Sequence, residues 1–221
     1  MRGLWVSYIS LNMSDTDYSE KAFREKFKDI ISSAKKYDCN ALFVHVRPFC
    51  DALYESDIFP SSHILWGEQG AKASYDALEI MSKMCEKSSL QLHAWINPYR
   101  IRTESSNFSL SEDSPYVNDE ALGVEYEGSI YLNPAKKDVR KLIVDGIKEI
   151  IENSDEPPKV IDYACGAGHF LNEYASQIKK YVSKDKLQEY YASIDGIEKE
   201  YRLSKVSKVS AFMYGQDDIN I

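Results

Sequence analysis

The run A-L-F-V-H-V-R occupies residues 41–47, and P-F-C-D-A-L-Y follows it at residues 48–54. Residues 41–46 are mostly apolar, which is typical of a strand buried on both faces of a parallel sheet. Two charged residues, Arg47 and Asp51, come directly after this stretch. The sequence here therefore predicts a buried strand followed by polar residues.

Similar strands and helices alternate around this run. Apolar patterns predict further strands at residues 4–9, 90–96 and 130–132, and helices at residues 19–36, 76–87 and 136–152. Residues 101–130 are predicted to form a long polar loop. Repeated βα units indicate a parallel sheet or barrel. A closed barrel needs about 250 residues, so we predict a partial (β/α) barrel with about three βα units.

The pattern changes at N-S-D-E-P-P, residues 153–158, where two prolines follow an acidic stretch. We therefore predict a first domain over residues 1–153, a junction over residues 154–158 and a second domain over residues 159–221. Within the second domain we predict a partial Rossmann-like βαβα unit. Its predicted strands are residues 159–163 and 191–197, its helices are residues 168–182 and 201–214, and residues 184–189 are a polar connection.

Composition excludes several classes of protein. The net charge of −8 argues against tight nonspecific nucleic-acid binding. The four cysteines contain no C-x-x-C pair, so no metal site is expected. No apolar run reaches about 18 residues, and residues 1–10 lead directly into a strand without a signal peptide. We therefore expect a cytoplasmic protein that does not contact a membrane.

Polar clusters follow three of the predicted strands, at residues 47–54, 93–100 and 131–134. A barrel enzyme builds its site where its strands end, so these clusters are candidates for one cleft. Trp95 and Tyr99 could stack on sugar faces there. Taken singly, Arg47 and Asp51 are more simply a structural ion pair, and His93 a satisfied core residue. The coincidence of three clusters favours a site.

These clusters, with R-G-L-W-V-S-Y at residues 2–8 and P-S-S at residues 60–62, resemble the glycosyl-hydrolase-like family of bacterial barrel proteins. The resemblance covers residues 1–153 and implies a glycan or peptidoglycan fragment as ligand. It implies Asp51 as the catalytic residue, and as substrate-binding residues Arg47, His93, Asn97, Arg100 and Asn133. The paired acidic residues that the family carries on its next strand are missing, although a glycosidase needs two carboxylates about 5–9 Å apart.

The run K-V-I-D-Y-A-C-G-A-G-H-F-L, residues 159–171, carries a strand into a glycine turn and a helix. Glycines let the backbone approach a ligand closely, and the first turn of a helix offers free N–H groups. Leu171 stands where the third glycine of a dinucleotide fingerprint would be, which argues against NAD. The second element is I-D-G-I-E, residues 194–198, whose Glu198 could accept ribose hydroxyls.

Together with R-L-S-K-V-S-K-V-S-A-F-M-Y-G at residues 202–215, these runs resemble the DNA adenine methyltransferase (modification) subunit of type I restriction systems, over residues 158–221. The resemblance implies S-adenosylmethionine as cofactor and DNA as partner. It implies cofactor contacts from Asp162, Ala164, Gly166, Gly168, Glu198 and Asp217 or Asp218. The family's Asn-Pro-Pro-aromatic motif, which holds the flipped base, and its DNA-recognition region are absent, so methyl transfer is not expected.

Three functional hypotheses follow. The first is a fused or truncated chain that joins a glycoside-hydrolase-like fragment to the cofactor-binding part of a DNA adenine methyltransferase and is catalytically incomplete. The second is a methyltransferase-type module on a repurposed scaffold. The third is a carbohydrate-binding or glycoside-hydrolysing protein in which the C-terminal βα units complete the sheet. In that case Asp162 would take the place of the missing acidic residue.

Overall fold

A computed structural model describes residues 2–152, 160–162, 165–180, 182–213, 215 and 220–221. The chain separates into two compact units, residues 1–153 (unit 1) and residues 154–221 (unit 2). The predicted junction at residues 154–158 lies outside the described residues.

The centre of unit 1 is a parallel sheet of three strands, β1 (Gly3–Val6), β2 (Ala41–Arg47) and β3 (Gln91–Ile96), in the order β1-β2-β3. The strands predicted at residues 41–46 and 90–96 are confirmed. The first strand is shorter than predicted, because residues 8–11 form a short helix, α1 (Tyr8–Leu11). The parallel strands end at a common edge, near which the polar clusters begin.

The further helices of unit 1 are α2 (Glu20–Lys36), α3 (His63–Trp66), α4 (Ala77–Lys87), α5 (Pro115–Asn118) and α6 (Lys137–Glu152), with a 3₁₀ turn at Glu120–Leu122. Helix α2 contacts β1, and helix α4 contacts β3. The Ser19 hydroxyl accepts a hydrogen bond from the Ala22 N–H at 3.2 Å, and the Asp76 carboxylate accepts one from the Glu79 N–H at 2.9 Å. These caps begin α2 and α4 because they satisfy N–H groups that the helix leaves free.

Strand β2 is buried at every position. Its alternate residues Leu42, Val44 and Val46 share one hydrophobic cluster with the apolar side of α2. The opposite set begins with Phe43 and His45, whose rings stack with aromatic rings of the neighbouring strands. Since successive side chains of a strand point to opposite faces, one face of the sheet packs into the hydrophobic core cluster and the other carries stacked aromatic rings.

The predicted loop at residues 101–130 is wrong in part. Strands β4 (Arg100–Arg102), β5 (Gly123–Tyr126) and β6 (Ser129–Leu132) form a separate antiparallel sheet in the order β4-β6-β5. The strand predicted at residues 130–132 therefore exists but does not extend the parallel sheet. Its two-residue connection, Glu127-Gly128, has positive φ angles of 48° and 72°, as tight antiparallel hairpins require. A fourth parallel strand is not found among the described residues of unit 1.

Unit 2 contains β7 (Val160–Asp162), α7 (His169–Ile178), α8 (Leu187–Tyr191), β8 (Ile194–Gly196) and α9 (Tyr201–Met213). Strands β7 and β8 pair in parallel, with Asp162 opposite Gly196. The polar connection predicted at residues 184–189 is wrong in part, because α8 begins within it and buries Tyr191. Two paired strands establish α/β structure here but do not show a Rossmann-like cofactor domain. No helix in the described ranges has the length and apolar character to span a bilayer.

Candidate functional site

The loop after β2 folds back on itself and places two side chains next to each other. The Ala52 N–H donates to the Pro60 carbonyl at 2.9 Å, and the Ser62 N–H donates to the Ala52 carbonyl at 2.9 Å. Asp51 directly precedes Ala52 and His63 directly follows Ser62, so the two side chains lie on the two hydrogen-bonded parts of this loop. Two backbone hydrogen bonds therefore hold together two residues 12 positions apart in the chain, at the end of β2.

Asp51 is fully buried and its two carboxylate oxygens have different partners. One oxygen accepts a hydrogen bond from the Phe49 N–H at 3.3 Å, and the other lies 3.3 Å from Nδ1 of His63. The His63 side chain is 12% exposed, whereas that of Asp51 is 0% exposed. A ligand at this edge would therefore meet His63, with Asp51 behind it. The catalytic role of Asp51 stays a prediction.

Arg47 does not form the ion pair with Asp51 considered from the sequence. The Arg47 guanidinium carbon lies 4.5 Å from the centre of the Phe59 ring. Its Nη1 and Nη2 atoms are buried and have no hydrogen-bond partner in the described part of the chain. Burial raises the pKa of the neighbouring Tyr54 to about 12, and the positive charge of Arg47 partly opposes this rise. Arg47 thus lies in the interior beneath the edge.

Asn97 and Arg100 join the end of β3 to the loop after β2. Both donate to the Pro48 carbonyl, Asn97 through Nδ2 at 3.3 Å and Arg100 through Nε at 2.9 Å. The Arg100 guanidinium carbon lies 4.7 Å from the Phe49 ring centre and 5.3 Å from that of Tyr8. Burial lowers the pKa of Arg100. These two predicted site residues are therefore neighbours of Asp51 at the sheet edge.

The other two predicted substrate-binding residues lie elsewhere. His93 is buried along β3, where its ring is 4.7 Å from that of Phe43. Asn133 follows the antiparallel strand β6, and its Oδ1 accepts a hydrogen bond from the Ala135 N–H at 3.0 Å. That contact shapes the turn before α6. Three of the six predicted glycan-site residues, Asp51, Asn97 and Arg100, therefore lie together at the carboxyl ends of the parallel strands. Arg47 lies beneath them.

An aromatic face runs along the sheet towards this edge. The Trp95 and His45 rings are stacked 3.8 Å apart, and the Trp5 ring meets that of Trp95 edge-on at 5.2 Å. Trp5 is 45% exposed. Burial, assisted by the charge of Arg100, lowers the pKa of His45 to about 3, so His45 is neutral in the folded protein.

Sequence patterns alone do not single out His45, His63 or Trp5. The alternation of Phe43 and His45 along one side of β2 was the available signal for His45. For His63 the local signal is weak, because its partner Asp51 is reached only through the folded loop. Three convergent His, Cys, Asp or Glu side chains that could hold a metal ion do not occur among the described residues.

The glycine turn of unit 2 brings two predicted cofactor-binding residues together. The Gly166 N–H donates to one carboxylate oxygen of Glu198 at 2.9 Å, and the other oxygen accepts from the Glu200 N–H at 2.7 Å. Gly168 precedes α7 with a φ of 76°. Asp162 ends β7 and accepts the Ile197 N–H through its carbonyl at 2.8 Å. The predicted contacts Ala164, Asp217 and Asp218 lie outside the described residues.

Comparison with known proteins identifies the family. Residues 1–209 match the model of the Glycosyl hydrolase-like 10 family. The chain belongs to this family. Glycosyl hydrolase YngK of Bacillus subtilis is 32% identical over 159 residues, which are 70% of this chain and 31% of the relative. Glycosyl hydrolase DigH of Escherichia coli K12 is 26% identical over 169 residues, which are 68% of this chain and 38% of the relative.

This Glycosyl hydrolase-like 10 chain spans about a third of the length of these two relatives. A crystal structure of a hypothetical protein from Ruminiclostridium thermocellum covers 82% of this chain and 93% of its own, with a TM-score of 0.48 and 16% identity.

The predicted glycosyl-hydrolase-like family is confirmed, and the mixed α/β fold is compatible with it. The match continues past residue 153, where the predicted resemblance ended, to residue 209. These findings give no support to a methyltransferase segment or to a fused chain. The glycoside-hydrolase alternative is the better supported of the three hypotheses.

Proposed function

We propose that this chain forms part of the glycan-binding site of a glycosyl hydrolase-like protein, at the carboxyl ends of β1, β2 and β3. The observation that carries the proposal is the position of Arg100. Its guanidinium lies beside both the Tyr8 and the Phe49 ring, and its Nη2 is buried with no hydrogen-bond partner among the described residues. A buried donor without a partner costs about 1–3 kcal/mol, so a ligand oxygen at this position would remove that cost.

The neighbouring groups suit a sugar. The planar guanidinium donates to hydroxyl and carboxylate oxygens in a fixed geometry. The partly exposed Trp5 and the ring of Trp95 provide flat apolar surfaces, which pack against the C–H face of a sugar ring. The names of the relatives YngK and DigH, both glycosyl hydrolases, support a glycan as the ligand class.

We assign binding rather than bond cleavage to the described residues. Cleavage by the usual mechanism needs two carboxylates about 5–9 Å apart on either side of the bond. Asp51 is buried against His63. Glu149 already accepts hydrogen bonds from the Ser56 hydroxyl and the Asp57 N–H. Hydrolysis is therefore proposed only if a second carboxylate, from outside the described residues, also lies at the carboxyl ends of these strands.

Calorimetric titration with soluble peptidoglycan-derived and chitin-derived oligosaccharides tests the proposal. We expect binding of at least one series, and a loss of tenfold or more in affinity for Arg100→Ala. Arg100→Lys keeps the charge but not the forked donors and should also bind weakly. Arg24→Ala, which removes an exposed arginine on α2, should bind as the parent does. A folded parent that binds neither series, or an Arg100→Ala variant of unchanged affinity, would overturn the proposal.

As a second candidate, we propose that unit 2 binds S-adenosylmethionine. The specific observation is the contact between Glu198 and the Gly166 N–H, which places an acceptor carboxylate at the glycine turn. A Cβ at Gly166 would meet nothing within 4 Å among the described residues, so the turn is open to a close ligand on that side. Each carboxylate oxygen of Glu198 has one backbone partner and keeps capacity for a ribose hydroxyl.

Titration with S-adenosylmethionine separates this candidate from the first. We expect binding that Glu198→Gln weakens about tenfold, because an amide accepts more weakly and at only one of its two positions. Glu173→Gln changes an exposed carboxylate on α7 and serves as the control. Absence of any heat of binding at millimolar cofactor would rule this candidate out and leave the glycan proposal untouched.

A further inference from the structure

The structure assigns a further ligand-contacting residue to the glycan site, His63, together with a positioning residue, Asp51. We infer that Asp51 fixes the ring of His63 so that Nε2 accepts a hydrogen bond from a sugar hydroxyl. This inference rests on the proposed glycan-binding function and names the acceptor that would complement the donors of Arg100.

Asp51 is held in place before any ligand arrives. One of its carboxylate oxygens accepts the Phe49 N–H at 3.3 Å, so the carboxylate cannot rotate freely. The other oxygen faces Nδ1 of His63 at 3.3 Å. A carboxylate only accepts hydrogen bonds, so Nδ1 carries the proton in this pair. In a neutral imidazole the second nitrogen is then an acceptor, which leaves Nε2 of His63 as the acceptor.

The ring of His63 is fixed on its faces as well as at Nδ1. The Phe108 ring stacks on it with centres 3.7 Å apart and planes at 15°. The backbone around it is set by Ser62, whose hydroxyl accepts the Ile64 N–H at 3.3 Å at the start of α3. Such support from residues behind a contact group is what gives a binding site its geometry.

A shared aromatic neighbour places His63 and Arg100 at one location. The Phe49 ring centre is 5.4 Å from that of His63 and 4.7 Å from the Arg100 guanidinium carbon. The Nε2 acceptor of His63 and the N–H donors of Arg100 thus belong to side chains that pack against the same Phe49 ring. A sugar carries several hydroxyls that both donate and accept, so one hydroxyl can donate to Nε2 of His63 while another accepts a guanidinium N–H of Arg100. The partly exposed imidazole is the accessible member of its pair, since the Asp51 carboxylate is fully buried.

Long-range ¹H–¹⁵N NMR of the histidine rings tests the pair without any ligand. The chain has four histidines, and His→Gln variants assign their signals. At pH 8 we expect the His63 spectrum of the Nδ1–H tautomer. In Asp51→Asn the side-chain amide can donate to Nδ1, so we expect a shift towards the Nε2–H tautomer. His169, which is exposed in unit 2, should not change. An unchanged His63 tautomer in a folded Asp51→Asn protein would overturn the assignment of Asp51.

Oligosaccharide titration of His63→Phe tests the ligand contact. This variant keeps a ring against Phe108 and removes the Nε2 acceptor together with the Nδ1–H that faces Asp51, so we expect about a tenfold loss of affinity. Asp51→Asn should lose a similar factor through the tautomer change alone. If His63→Phe binds normally while Arg100→Ala does not, the inference fails and the glycan proposal stands. If the parent chain binds no oligosaccharide, the glycan proposal fails and the ligand contact of His63 fails with it.

Discussion

The carboxylate of Glu149 accepts a hydrogen bond of 2.7 Å from the hydroxyl of Ser56, which lies 93 residues earlier in the chain. Its other oxygen accepts the Asp57 N–H at 2.8 Å. The Ser56 hydroxyl also accepts the Phe59 N–H at 2.9 Å. One side chain of α6 therefore holds the loop that carries Asp51 and His63, and the geometry of the candidate site depends on a helix outside it.

Replacing Glu149 tests this dependence. Glu149→Ala should lower the free energy of unfolding of unit 1 by about 2 kcal/mol, because two hydrogen bonds to a charged group are lost. All three tryptophans lie in unit 1, so urea titration followed by tryptophan fluorescence reports this unit. Glu25→Ala, at an exposed position of α2, should change stability by less than about 0.5 kcal/mol. Equal effects of the two substitutions would contradict the anchoring role.

Replacing Gly146 with alanine should destabilise unit 1, although a glycine-to-alanine substitution usually stabilises a helix. Alanine in a helix interior is favoured over glycine by about 0.5–1 kcal/mol. Here a Cβ would overlap Nη1 of the buried Arg47 and lie 2.5 Å from Cε2 of Phe59. We expect Gly146→Ala to destabilise unit 1 by about 1–3 kcal/mol.

The clash at Gly146 can be separated from other effects by a double substitution. Phe59→Leu shortens one of the two obstructing side chains. Gly146→Ala should therefore cost less in the Phe59→Leu background than in the parent, by an interaction free energy of at least about 0.5 kcal/mol. Additive effects in urea titrations would show that the Phe59 ring is not the obstacle.

His45 should make the stability of unit 1 depend on pH. Its pKa is lowered to about 3 by burial and by the charge of Arg100, whereas an unfolded histidine has a pKa of about 6.5. The unfolded state therefore binds more protons between these values. The stabilising contribution is complete above pH 6.5 and is lost, at about 1.4 kcal/mol per pH unit, as the pH falls towards 3.

His45→Phe provides the comparison. The variant keeps a ring stacked on Trp95 and has no group to titrate at this position. Between pH 7 and pH 5 the parent should lose about 2 kcal/mol more stability than the variant, measured from urea midpoints by tryptophan fluorescence. His169→Gln in unit 2 should follow the parent. Identical pH dependence in His45→Phe and the parent would show that His45 does not remain neutral.

Two glycines of unit 2 should respond differently to alanine. Gly166 and Gly168 both have positive φ angles, of 53° and 76°, so each substitution incurs backbone strain of about 1 kcal/mol. A Cβ at Gly168 would also overlap Oγ of Ser207, whereas a Cβ at Gly166 meets no described residue within 4 Å. Hydrogen exchange of the α7 backbone should therefore rise more in Gly168→Ala than in Gly166→Ala. The reverse order would contradict the packing of α9 against this turn.

Much of the local structure was predictable because its causes are local. The capped helices α2 and α4 follow from Ser19 and Asp76 together with apolar spacing. Strand β2 follows from its apolar run. The prediction was wrong in part for residues 101–130, where polar composition concealed the β5–β6 hairpin. The signal there was the turn residue Gly128, whereas the strands themselves are short and partly exposed.

The sequence by itself determined the α/β character of this chain, its family and the presence of polar residues after its parallel strands. These properties depend on side-chain periodicity and on short motifs, which are read along the chain. Only the tertiary structure decided that β6 pairs in an antiparallel sheet and that Asp51 is buried against His63 instead of pairing with Arg47. Strand pairing depends on contacts between segments that are separated along the chain. The burial of Asp51 against His63 depends on the loop after β2, which folds back through Ala52 and Ser62.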